Sequence, residues 1–136
     1  MTPAQAGVLI LSMNKAQKIF LPIFFAVCLI ILYIIFPYVG RYSEKNDCDD
    51  ITLSMYNHFT RLGFNVKILV GNLEITNETF DQTVHVWLLV HTTFGWVPYD
   101  QGDFGFAEPV FNSPQHREGY EIDYNTLLAA VAIDKA

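Results

Sequence analysis

The 136-residue chain predicts an α+β fold in which a Cys-bearing helix packs on an antiparallel β-sheet, preceded by one transmembrane helix. Three observations carry that expectation. The run Ile19 to Phe36 holds 18 residues without a charge, and as a helix it covers about 27 Å, close to the thickness of one hydrocarbon core. Beyond it, Ile51, Met55, Phe59 and Leu62 recur at spacings of four, four and three, a single apolar helical stripe. Two apolar runs, Thr83 to His91 and Trp96 to Asp100, flank a short turn-like segment in the pattern of a β-hairpin.

The elements follow in order. Residues 1–18 form an N-terminal flank whose Val8-Leu9-Ile10-Leu11 stretch is too short to cross a bilayer. Residues 19–39 are expected to be the transmembrane helix, with aromatics denser towards its ends and Pro22 in its first turn, where a missing N–H costs least. About a hundred remaining residues could not wrap a helix apolar on every face, so a buried core helix fits poorly. The run also exceeds a cleaved signal peptide's apolar region and lacks a small-residue cleavage site, so it reads as a signal anchor. Lys15 and Lys18 before the run balance Arg41 and Lys45 after it, while acids crowd only the C-terminal side. The expectation is a single-pass chain with its N-terminus inside and its soluble domain extracytoplasmic.

Residues 40–46 are a polar linker, and 47–136 the soluble domain. A helix is expected from about 48 to 62, with Asp47 as N-cap, Asp50 completing a capping box and Gly63 as a left-handed stop. Asn65 to Val70 reads as a strand ended by Gly71-Asn72. Glu74 to Gln82 reads as a polar loop with a glycosylation-type triplet, Asn77-Glu78-Thr79. Thr83 to His91 is apolar on both faces, hence a central strand, and Trp96 to Asp100 is its partner across the turn Thr92 to Gly95. Gln101 to Arg117 reads as a loop with one short strand near Ala107 to Phe111. Asp123 to Ala136 closes as a helix with Leu127, Leu128 and Val131 on its inner face.

All 14 acidic residues but only six of the eight basic ones follow the apolar run, leaving the soluble part near −8. Such a balance argues against nucleic acid and against an anionic lipid surface as partner. Cys28 lies within the apolar run and Cys48 outside it, so no intrachain disulfide framework is expected and Cys48 stands alone.

Cys48, His85 and Asp100 occur in that order, the histidine 37 residues after the thiol and the carboxylate 15 residues after the histidine. A thiol nucleophile needs a base, and the base needs an orienting group. Cys48 falls in a helix's first turn, where free N–H groups and the dipole favour a thiolate, although Asp47, Asp49 and Asp50 oppose it. His85 and Asp100 fall on paired strands, opposite or diagonal, where a carboxylate can accept the imidazole's distal N–H. Trp87 and Trp96 could flank such a site and limit water.

Cys at a helix start, then His85-Val86-Trp87, then Gly95-Trp96-Val97-Pro98-Tyr99-Asp100, resembles the transglutaminase-like core of the papain-like cysteine hydrolase superfamily. The resemblance covers about residues 47–101 and includes the Leu62-Gly63-Phe64 helix exit. It implies Cys48 as nucleophile, His85 as general base and Asp100 as orienter. Family members carry a further helix and loop before the Cys, which supply part of the substrate groove and an oxyanion donor; here only about ten residues precede Cys48 after the apolar run, as in an N-terminally truncated form. Asn46 replaces the usual Gly two residues before the Cys, and Asn46 or Tyr42 is the remaining choice for a second oxyanion donor.

Blander readings stand beside these. A lone thiol is often an inert small residue, and the three-part spacing is what favours chemistry here. His58 fits a surface or packing role, His91 lies on the same strand face as His85, and His116 falls in a loop. Cys48, His85, Asp100 and His91 lack the close ligand pairs of a metal site, and no cofactor is implied. Trp87, Phe94, Trp96 and Phe104 fit a core, while Phe104-Gly105-Phe106 could line a groove or a partner patch. Two functions remain. One is a membrane-anchored cysteine hydrolase or acyl transferase acting on a peptide or amide substrate. The other is a non-catalytic accessory subunit of a larger membrane complex.

Overall fold

In the computed structural model of the chain, residues 2, 13–73 and 85–134 are described, and they divide into two compact units, one ending at Ile34 and one beginning at Ile35. Val8 to Leu11, the Asn77 triplet, Thr83, Val84 and the last two residues lie outside the described residues.

Helix α1 runs Lys15–Ile35, 21 residues, and begins four residues before the sequence reading placed it. The reason is a cap. Asn14 Oδ1 accepts the Gln17 N–H (2.8 Å) and Gln17 Oε1 accepts the Asn14 N–H (3.0 Å), satisfying two donors reciprocally. Pro22 therefore lies inside the helix rather than in its first turn, and one backbone bond is missing there. Among the described residues this is the one helix long and apolar enough to cross a membrane.

Pro37 stops the helix, and Pro37 to Val39 leave the expected span to join the second unit. Val39 donates its N–H to Gly105 O (2.9 Å), and Pro37 O accepts from Ala107 N (2.8 Å), with both Pro37 and Val39 buried. The segment 40–46 is ordered rather than a free tether. Ser43 and Asn46 exchange backbone bonds (2.9 and 3.2 Å), and the Asn46 amide donates to Val39 O (3.3 Å) and Arg41 O (3.0 Å).

Helix α2 is Cys48–Arg61. Asp47 accepts the Asp50 N–H (3.4 Å) and Asp50 accepts the Asp47 N–H (3.3 Å), the expected capping box. At the other end Phe64 N donates to Phe59 O and Gly63 N to Thr60 O, each at 3.0 Å, with Gly63 at φ +90°. That is a Schellman close, which needs a residue tolerant of left-handed backbone.

Among the described residues the sheet has five antiparallel strands: β1 (Val66–Gly71), β2 (His85–Thr92), β3 (Gly95–Gln101), β4 (Ala107–Pro109) and β5 (Tyr120–Ile122). Their spatial order is β4-β3-β2-β1-β5, so β2 is central, as its apolar run requires. β5 was not read from the sequence, and the expected strand near Ala107 to Phe111 stops at Pro109. A 3₁₀ turn, Pro114–Arg117, precedes β5, and helix α3 follows as Tyr124–Asp134, capped by Asp123, whose carboxylate accepts the Thr126 N–H (2.7 Å).

One buried cluster draws Ile51, Met55 and Phe59 from α2, Val86, Leu88 and Val90 from β2, Val97 and Tyr99 from β3, and Leu127 from α3. Burying each such side chain contributes about 1.5–3 kcal/mol. Leu127 (1 % exposed) and Val131 (6 %) face inward as expected, but Leu128 is 43 % exposed and points to solvent. Alternation along β2 sends His85, Trp87, Leu89 and His91 to the face opposite Val86, Leu88 and Val90.

Candidate functional site

The β2–β3 register pairs Leu88 with Tyr99. Continued by one step it sets Asp100 opposite Trp87 and diagonal to His85, on one face of the sheet. His85 Nε2 meets Asp100 Oδ2 at 2.7 Å. An ionised carboxylate only accepts, so a proton lies on Nε2. The Cys48 side chain interacts with the same ring and helps to raise its pKa. The route is through α2, where the buried Thr52 hydroxyl donates to Val86 O (3.1 Å) and so brings the helix's first turns to the start of β2. Cys48 Sγ also lies 3.8 Å from Asp49 Oδ1.

A fourth group joins these three. His116 Nε2 lies 2.9 Å from the same Oδ2 of Asp100, and its Nδ1 lies 2.7 Å from Ser113 Oγ. Oδ1 of Asp100 takes the Gln101 N–H at 2.7 Å, so both carboxylate oxygens are held. Trp87, fully buried, braces both imidazoles. The His85 ring stacks on it at 5.8 Å, the His116 ring meets it edge-on at 5.1 Å, and its indole N–H donates to His116 O (2.7 Å). Gly119 lets this loop come so close: a Cβ there would sit 2.9 Å from Val70 O and 3.0 Å from Trp87 Cζ2. His116 was read as a plain loop residue. The legible signal was small, a Ser113-Pro114 step and a three-residue spacing that stacks residue 116 back over 113 in a tight turn.

Burial alone would lower the basicity of His85. The hydrogen bond to Asp100, the hydrogen bond to Cys48 and the charges of both outweigh it, and the pKa is raised to about 10. For Asp100, burial pushes its pKa upward, but the hydrogen bond and charge of His85, then His116 and the Gln101 N–H, hold it below the ordinary aspartate value. The two groups therefore favour an imidazolium–carboxylate pair.

Other expected participants lie elsewhere. Trp96 does not flank the site; its ring packs 4.9 Å from His91, at the far end of β2, and carries Lys67 Nζ 4.5 Å from its centroid. The Asn46 amide donates to two backbone carbonyls, Val39 O and Arg41 O. Among the described residues, no group of three or more His, Cys, Asp or Glu side chains is disposed to hold a metal ion. Compared with family models, curated proteins and solved structures, the chain matches none.

Proposed function

We propose that the chain is a membrane-anchored, transglutaminase-like cysteine hydrolase or acyl transferase acting on peptide or amide bonds, its domain facing the extracytoplasmic side. The observation that carries the reading is that His85 Nε2 meets Asp100 Oδ2 at 2.7 Å while the Cys48 thiol interacts with the same ring and helps to raise its pKa. With its pKa raised to about 10, His85 already holds the proton as the imidazolium, and the Cys48 sulfur attacks the carbonyl carbon as the thiolate. The resulting oxyanion is stabilised by the backbone N–H of Cys48 at the start of α2. The imidazolium then protonates the departing amine, leaving a thioester that water, or a second amine, resolves with His85 as base. Asp100 holds the ring throughout, and His116 and Gln101 hold Asp100.

The test is the reactivity of Cys48. Iodoacetamide at neutral pH is expected to alkylate it much faster than free cysteine, and His85→Ala is expected to abolish the excess. Ordinary thiol reactivity in the native chain would sink the proposal.

One contact favours a second reading, a non-catalytic accessory subunit. Asp49 Oδ1 at 3.8 Å from Sγ is placed to accept from a neutral thiol and to oppose a thiolate. Stoichiometric co-purification with larger membrane subunits in mild detergent, with full function of Cys48→Ser, would select it.

A further inference from the structure

The loop joining β3 to β4 exposes aromatic rings for which the chemistry above has no use. Phe104 is 74 % exposed and Phe106 42 %. Phe106 is bridged to Tyr38, itself 66 % exposed, and the two rings meet edge-on at 5.4 Å. Val39 N to Gly105 O (2.9 Å) and Ala107 N to Pro37 O (2.8 Å) fix the loop against the segment 37–39. Tyr38 and Phe106 thus form an exposed aromatic pair, with Phe104 exposed two residues before Phe106 in the same loop.

We infer that Tyr38, Phe104 and Phe106 seat the soluble unit in the headgroup layer of a bilayer that α1 crosses. Covalent reach supplies the argument. Tyr38 is three residues beyond the last residue of α1, which limits its distance to about 11 Å even for a fully extended chain. The headgroup region on each face is roughly 5–8 Å deep. A helix of 21 residues is about 31 Å long, so one that spans the hydrocarbon core ends at that layer. Tyr and other amphipathic rings are favoured there, with one edge apolar and the other wet. Arg41, whose Cγ comes within 3.4 Å of a Cβ built at Gly105, adds a cation beside the aromatic pair for lipid phosphate, while Asp103 in the same loop weakens the attraction to anionic lipid. A zwitterionic surface suits that mixture.

The inference rests on α1 crossing the membrane and not on catalysis. The full chain is reconstituted in phosphatidylcholine vesicles, with or without bromine on the acyl chains. Phe104→Trp is expected to lose emission as brominated lipid replaces plain lipid, after subtraction of the unsubstituted chain's Trp87 and Trp96 signal. Phe94→Trp is the control, because Phe94 is 93 % exposed but lies beyond the far end of the seven-residue β3, roughly 20 Å away. Its emission is expected to stay unchanged. Tyr38→Trp serves as a second reporter should Phe104→Trp fold poorly. Equal quenching at 94 and 104, or none at 38 and 104, overturns the inference. So does release of the chain by alkaline extraction, which shows that α1 is not inserted. Alkylation of Cys48 in the same vesicles reads the catalytic proposal separately.

Discussion

Asp100 and His116 are joined by a 2.9 Å contact from Nε2 to the carboxylate oxygen that His85 also engages at 2.7 Å. One oxygen thus serves two imidazoles from separate parts of the chain, one on the central strand and one in a 3₁₀ turn between β4 and β5. Sharing fixes the carboxylate in position. It also puts a second ring nitrogen, on a side chain that Ser113 holds from its other edge, against the same oxygen.

The first consequence concerns the proton on His85. Asp100→Asn removes the larger of the two supports that raise its pKa, and Cys48→Ser removes the smaller. Titration of the His85 Cε1 proton by NMR is expected to show the value falling from about 10 in both variants, further in Asp100→Asn. A larger fall in Cys48→Ser would show that the thiol, not the carboxylate, governs the ring.

Stability should follow the same pair with pH. His85 keeps its proton to about pH 10 when folded but releases it near 6.5 when unfolded, so its contribution is complete below 6.5 and fades as pH rises through 10. Asp100 works in the opposite sense. Its folded pKa is below 3.8, so its contribution is complete above 3.8 and is lost as pH falls. Melting temperatures are expected to be highest between about pH 4 and 6.5 and to decline on the alkaline side, and His85→Ala should flatten that alkaline decline.

His116→Phe tests the shared carboxylate. Losing one hydrogen bond to a buried charge costs about 1–3 kcal/mol. Asp100 loses one of the contacts that depress its pKa, so acid unfolding is expected to begin at higher pH than in the unsubstituted chain. An unchanged acid midpoint would mean that His116 only fills space beside Trp87.

On α3 two adjacent leucines should differ sharply. Leu127→Ala opens a cavity in the buried cluster and is expected to cost about 2–5 kcal/mol in denaturant unfolding. Leu128→Ala lies at solvent and should stay within about 0.5 kcal/mol.

What the sequence made legible were features written locally. Asp47 and Gly63 announce the ends of α2, because capping and left-handed backbone depend on a few neighbouring residues. The unbroken apolarity of β2 announces its central place, and a short turn fixes its register with β3 and hence the meeting of His85 with Asp100. Other features are tertiary. β5 is three residues long, with nothing periodic to read, and exists because β1 offers an edge. The burial of His116 depends on Gly119 and Trp87 accepting close contact, which no spacing reveals. Leu128 misled because an almost uniformly apolar helix gives no phase from which to choose its inner face.

The outer margin of β3 has a consequence for crowding. β4 covers only Tyr99 to Gln101, yet the carbonyls further along are taken: Pro98 O by Val110 N (2.8 Å) and Trp96 O by the Arg117 guanidinium (2.7 Å). Pro98 has no N–H to offer. Copies confined at high density in a plane would collide side to side constantly, and a margin with its acceptors occupied and a donor deleted gives a neighbouring strand little to zip onto. Protection from polymerisation is therefore built into the same strand that carries Asp100.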